Sequence, residues 1–265
     1  MMAKSTLLSK LYSKSLILTA LGGLSLGLSG CEGCMDWVYD DPVSYVSVDG
    51  ELYIDASNWK KWYYVNLTDT AAISTVLSSD IPSQATGETQ TQAPSEHLSG
   101  LYLYWFDAFG QGIQVNEFRS FTPTEAQTES DPNAWTFAVH RNNVRTNPHL
   151  CFGAAESTLT DIDQATEALA SQLTYSPDEW SEKDVWCDQS QMLLALVPSQ
   201  GIMVNKVLSN WLLLEIPPMP PSFQLNNHVF FIRMHNGTYA ALQLVDYMSA
   251  EGVKCCLTIK YRYPL

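Results

Sequence analysis

The chain has 265 residues, with 28 acidic against 14 basic side chains and a formal net charge of −14. That sign disfavours nucleic-acid binding and a broad phosphate-binding surface, because both need a cationic face. The length allows one large all-β domain or two small ones, with a core that needs no metal or disulfide staple.

Lys4, Lys10 and Lys14 precede an apolar run from Leu16 to Leu28 that ends in Leu28-Ser29-Gly30-Cys31. This is the order of a secretory signal, and a small pair before a cysteine points to the lipoprotein form, with residues 1–30 removed and Cys31 carrying the lipid. An ordinary secretory peptide is the alternative. A spanning helix is disfavoured, since the run falls short of the roughly 20 apolar residues a bilayer needs. Removal of 1–30 takes three lysines and no acid, leaving 235 residues with a formal charge of −17. Residues 31–41 then form a short acidic leader, and the folded domain is expected over 42–265.

VSYVSVDGELYIDAS alternates apolar residues around Asp49-Gly50, a hairpin signal. WKKWYYVNL follows, dense in aromatic and β-branched residues. The polar stretch 78–100 predicts a flexible loop. LYLYWFDAF, GIQVNEFRSF and WTFAVHRNNVRTN read as ordered, strand-rich segments. In TDIDQATEALASQL, Ile162, Ala165, Leu169 and Leu173 recur at helical spacing behind Asp161 as N-cap, so one helix is predicted there. Asn236-Gly237 sets a final hairpin between HVFFIRMH and TYAALQLVDY.

Five cysteines follow Cys31, at positions 34, 151, 187, 255 and 256. An odd number leaves at least one thiol single or paired elsewhere. Cys255 and Cys256 are adjacent in a predicted strand, where neighbours point to opposite faces, so a shared metal is disfavoured.

Two methionines stand out. Met219 lies in PPMPP, where Pro217, Pro218, Pro220 and Pro221 stiffen the backbone and remove donors, so a thioether is held away from helix or central strand and is available to a soft metal. Met192 lies in CDQSQMLLA beside Leu193, Leu194 and Leu196, where filling an apolar core is the competing role. Of the histidines, His97, His140, His228 and His235 read as solvated or strand residues, while His149 is the best replacement ligand. Acidic pairs such as Asp161 and Asp163 read as solvated charge. The chain contains no G-x-S-x-G, H-E-x-x-H, G-x-G-x-x-G or phosphate-loop motif, so no enzymatic activity is expected.

Several segments together resemble the HmuY family of haem-binding, hemophore-like lipoproteins from anaerobic Gram-negative bacteria. They are Ile54-Asp55-Ala56-Ser57 with Trp62 and Tyr64, the WTFAVHRNNVRTN segment, and the D.S.M element Asp188, Ser190 and Met192. Trp211 with Met219, Pro220 and Pro221 adds to these, as do Val229 to Phe231, AALQLVDYMSAEGVK and the terminal TIKYRYPL. The loop from Pro148 to Phe152 departs from the family, which usually carries glycines there. The resemblance implies an all-β, HmuY-like multi-stranded fold with one short α-helix and a β-rich insertion at about 67–133. It implies haem b (iron protoporphyrin IX) as the ligand, with Met192 and Met219 as axial ligands; Trp186 and Trp211, each a few residues from one of these, are expected to line the pocket. The family's bis-histidine pattern would put Ile216 at a ligand position, and only the methionine version fits. Its other implications are haem and iron acquisition, with a TonB-dependent outer-membrane haem receptor and host haemoproteins as partners. Lipid anchoring to the outer membrane at the cell surface goes with these, release being the alternative. Asp69-Thr70-Ala71 resembles an O-glycosylation site of some of these bacteria. The competing reading is a surface lipoprotein that binds glycans through exposed Trp59, Trp62, Tyr63 and Tyr64.

Overall fold

A computed structural model describes residues 49–69, 76–98, 100–107, 117–125, 131–215 and 222–265. The signal segment, Cys31, the acidic leader, the first half of the Asp49-Gly50 hairpin and Thr70 of the glycosylation motif lie outside the described residues.

In chain order the strands begin with β1 (Glu51–Asp55), β2 (Lys61–Val65), β3 (Leu77–Asp80), β4 (Tyr102–Asp107), β5 (Glu117–Pro123) and β6 (Phe137–His140). They continue with β7 (Asn143–Thr146), β8 (Cys151–Glu156), β9 (Glu179–Ser181), β10 (Leu196–Gln200) and β11 (Ile202–Val204). The last five are β12 (Leu212–Glu215), β13 (Ser222–Leu225), β14 (Phe230–Met234), β15 (Tyr239–Met248) and β16 (Lys254–Arg262). Two four-residue helices interrupt them, α1 (Glu167–Ala170) and α2 (Lys206–Ser209). The all-β class holds.

A five-stranded sheet runs β1-β16-β15-β14-β8 and a four-stranded sheet β3-β2-β6-β7, every pairing antiparallel. Their inner faces meet in one core. Ile54, Phe230, Ile232, Leu242, Leu244, Leu257 and Ile259 come from the first sheet, and Val65, Phe137, Val139 and Val144 from the second. Each large side chain so buried contributes about 1.5–3 kcal/mol. The outer faces are covered too. Phe231 and Ala241 pack under Ile162, Ala165 and Ala170, while Trp62, Tyr64 and Ala138 pack under Val185, Cys187, Ile202 and Val204. This double burial explains why HVFFI and WTFAV read as nearly unbroken apolar runs rather than alternating ones.

The final hairpin forms as Asn236-Gly237 requires. Gly237 has φ 91°, and the Asn236 side chain accepts the Thr238 N–H at 3.0 Å. The helix expected from Thr160 to Leu173 is broken instead. A 3-10 turn spans Ile162–Gln164 behind the Asp161 cap, Ala165 is extended, and Thr166 caps α1 anew through the Leu169 N–H. The cause is distant in sequence. Arg262 Nη1 donates to the carbonyls of Ile162, Asp163 and Ala165, acceptors that a continuous helix would use for itself.

The stretch 78–100 also differs from expectation. It opens inside β3, and farther on Thr86 N–H donates to Pro123 O while Gln90 and Phe121 exchange backbone hydrogen bonds. An extended polar segment is held because the edge strand β5 has free backbone groups to offer. Within the region 67–133, β3 extends the four-stranded sheet, whereas β4 lies between β5 and β10 in a three-stranded sheet of its own. The remaining strands form the pairs β9 with β11 and β12 with β13.

Cys151, Cys187, Cys255 and Cys256 are buried single thiols. Burial pushes Cys151 and Cys187 up to about 12 and Cys255 up to about 11.

Candidate ligand-binding cleft

β6 and β7 are joined by only two residues, Arg141 and Asn142, because His140 and Asn143 already face each other across the ladder. The connection puts Arg141 at φ 54°, a left-handed position that favours glycine. An arginine there stores strain on the order of 1–3 kcal/mol, a cost that points to a use for its side chain. The guanidinium lies over Trp59, its carbon 3.9 Å from the ring centroid, and Nη1 donates to Ser57 O at 2.8 Å.

His140 fixes the other side of that tryptophan. Its Nε2 lies 2.9 Å from Trp59 O, and since a carbonyl only accepts, Nε2 carries the proton. Nδ1 is buried without a partner. Burial lowers the ring's pKa to about 4, so the imidazole is neutral at pH 7.

The opposite wall comes from the chain after β9. Trp186 is bridged to Ser199 and its indole N–H donates to Lys183 O at 2.9 Å. Asp188 Oδ1 accepts the Ser190 N–H at 2.7 Å, turning the chain into the 3-10 turn Met192–Leu194, which closes at Ala195 with φ 61°. Met192 is partly buried. It packs against the Tyr104, Phe106, Phe121 and Val197 cluster and also faces the cleft. The rim is completed by Leu214 of β12, Phe223 of β13 and Lys254, whose Nζ is 5.9 Å from the Phe223 ring centroid. The enclosed volume is about 300 Å³. Asp184, the carboxylate on this wall, is engaged by Ser181 Oγ at 2.6 Å and by Lys206 Nζ.

Of the expected site residues, Met192 and Trp186 thus share one cleft. Trp211 does not line it. The ring is fully buried in the central core, edge-on to Phe137 at 6.4 Å, with its indole N–H unpartnered. Its place directly before β12 turns it inward, where nearness in sequence to the proline loop had suggested the pocket. Met219 belongs to residues 216–221, outside the described residues, which join Glu215 to Ser222; those two face each other in the β12–β13 pair. His149 is exposed and away from the cleft.

The exposed aromatic surface expected over 59–64 is reduced to Trp59 and Tyr63, both half-buried. Trp62 and Tyr64 are 2% and 1% exposed, because the covering strands bury the outer face of β2. Sequence reading missed Arg141, Phe223 and Lys254. For Arg141 a signal existed, a non-glycine residue in a two-residue connection. Among the described residues no three His, Cys, Asp or Glu side chains gather to hold a metal ion.

Fold and cleft together define a β-sandwich with an aromatic-walled ligand site. The HmuY family, described as HmuY protein, matches residues 58–261, and the chain belongs to that family. No curated protein matches. Among solved structures, a lipoprotein of Bacteroides fragilis is similar at 23% identity and TM-score 0.55, over 89% of this chain and 99% of that one. A Bacteroides vulgatus protein described as HmuY-like and heme-binding is similar at 23% identity and TM-score 0.55, over 85% of this chain and 99% of that one. The apo HmuY analog of Tannerella forsythia is similar at 18% identity and TM-score 0.54, over 84% and 97%.

Proposed function

We propose that this chain is a haem-binding lipoprotein that takes haem b into the cleft between Trp186 and Met192 on one wall and Trp59, Leu214 and Phe223 on the others. Family membership and the name of the Bacteroides vulgatus relative support the ligand. The observation that carries the reading is a methionine thioether on the wall of an apolar cleft that is also lined by Leu214 of β12 and Phe223 of β13, the strands on either side of residues 216–221 in the sequence. The residues present fit the group, with flat apolar walls for the macrocycle, a soft sulfur donor, and cations beside them for its carboxylates.

On this reading Met192 and Met219 are the two axial ligands. A thioether takes no proton in the physiological range, so it holds a metal at pH 5 as it does at pH 7, whereas imidazole titrates near 6.5. Two sulfur donors favour the ferrous state and a raised potential. Binding serves haem and iron acquisition from host haemoproteins, with delivery to a TonB-dependent outer-membrane receptor and anchoring through a lipid on Cys31. Binding rather than catalysis is the role, and the burial of Trp62 and Tyr64 takes two of its four aromatics from the glycan alternative.

The test is a titration of the chain from Cys31 onward with haem under dithionite. A low-spin ferrous spectrum is expected, lost when Met192 and Met219 are both alanine. Retention of that spectrum by the double variant overturns the ligand assignment.

A further inference from the structure

Arg141 is a partly buried cation that no acidic residue neutralises. None of the ion pairs among the described residues includes it, and its one hydrogen bond runs from Nη1 to Ser57 O. A guanidinium has five N–H donors, so four are left to the cleft and to solvent. Taking an unpaired charge out of water is costly, and here the backbone adds strain to put it there. The side chain is nonetheless pinned, sandwiched on Trp59 and held by Ser57, which leaves its planar fork at one fixed place on the cleft wall. The carboxylate on the opposite wall, Asp184, is taken up by Lys206 and Ser181 and does not serve as its counter-ion. Lys254 brings a second cation to the rim from the neighbouring sheet.

We propose that Arg141, assisted by Lys254, is the residue through which the cleft recognises a carboxylate on the edge of a planar apolar ligand. The inference rests on the tetrapyrrole reading of this cleft and deepens it, since the carboxylate contact is independent of the iron. A fork of two parallel N–H donors matches a carboxylate in a way a lysine ammonium does not. The cleft therefore selects the free acid of a porphyrin, with or without metal, over the same macrocycle with its carboxylates esterified.

The experiment compares metal-free protoporphyrin IX with its dimethyl ester, each titrated into the protein and read by quenching of tryptophan fluorescence. The expected result is binding of the free acid roughly 10- to 100-fold more tightly than the ester, the range of a charge-assisted hydrogen bond. Arg141→Gly suits the backbone at φ 54°, so its Tm is expected to match or exceed that of the parent while the preference for the acid disappears. Arg141→Lys is expected to recover part of the preference. Equal affinity of the parent for acid and ester, or an unchanged ratio in Arg141→Gly, overturns the assignment and leaves the haem reading standing. Failure of the parent to bind either metal-free porphyrin overturns this inference, and the haem reading is then decided by the haem titration under dithionite.

Discussion

Replacing His140 by glutamine keeps a nitrogen donor for Trp59 O but removes a group that titrates. In the folded chain burial holds the imidazole pKa at about 4, while in the unfolded chain it returns to roughly 6.5. As pH falls below 6.5 the unfolded state takes the proton first, and the folded state follows only near 4. The neutral ring's contribution is therefore complete above pH 6.5 and lost progressively between 6.5 and 4. A shift of about 2.5 units corresponds to about 3 kcal/mol over the whole window, of which about 2 kcal/mol is gone by pH 5. The ring is fully buried, so solvent screening does not reduce that figure. Urea unfolding of the ligand-free protein and of His140→Gln from pH 7.5 to 4.5 measures it. Stability of the parent is expected to fall by about 2 kcal/mol more than that of the variant between pH 7.5 and 5. Asp178, whose carboxyl is raised by burial, acts with the opposite sign in both proteins and cancels from the difference. Parallel stability curves would refute the argument.

On the proposed function, the haem site should answer differently to acid. If both ligands are sulfur, haem loss at pH 5 is expected to track global unfolding in parallel circular dichroism and Soret measurements, with no separate earlier release. Trp211→Phe removes a buried indole N–H that has no partner, and urea unfolding is expected to place it within about 1 kcal/mol of the parent. Trp211→Ala, by contrast, opens a core cavity and is expected to cost about 3–5 kcal/mol. Gly153→Ala would bring a Cβ to 2.2 Å from Ser176 O, a backbone atom, at φ 149°. A loss of at least about 2 kcal/mol is expected in thermal or urea melts. Fatty-acid labelling in the native host is expected for the parent and absent for Cys31→Ala.

What could be read from the chain depended on how local the determinants were. The Asn236-Gly237 turn and the run of strands were legible, because turn chemistry and apolar pattern are properties of neighbouring residues. Met192 was singled out through a family motif and Trp186 by its nearness to it in sequence, and the structure brings both to one cleft. The break at Ala165 was hidden, since it depends on Arg262 reaching carbonyls nearly a hundred positions earlier. Trp211 was misjudged for the same reason. Its neighbours in sequence lead to the proline loop, but its neighbours in space are Phe137 and the central core. Arg141, Phe223 and Lys254 converge from three separate hairpins, and no spacing rule in one sequence reports such a meeting.

The four buried thiols carry a practical corollary. With pKa values near 11 to 12, only about one in 10⁴ to 10⁵ of Cys151, Cys187 and Cys255 is ionised at neutral pH, and burial raises Cys256 too, so these thiols react sluggishly with oxidants and alkylating agents. None is tied to another in this domain. Among the described residues an electrochemical titration can therefore sweep from dithionite to ferricyanide without a covalent crosslink in these strands to open or close.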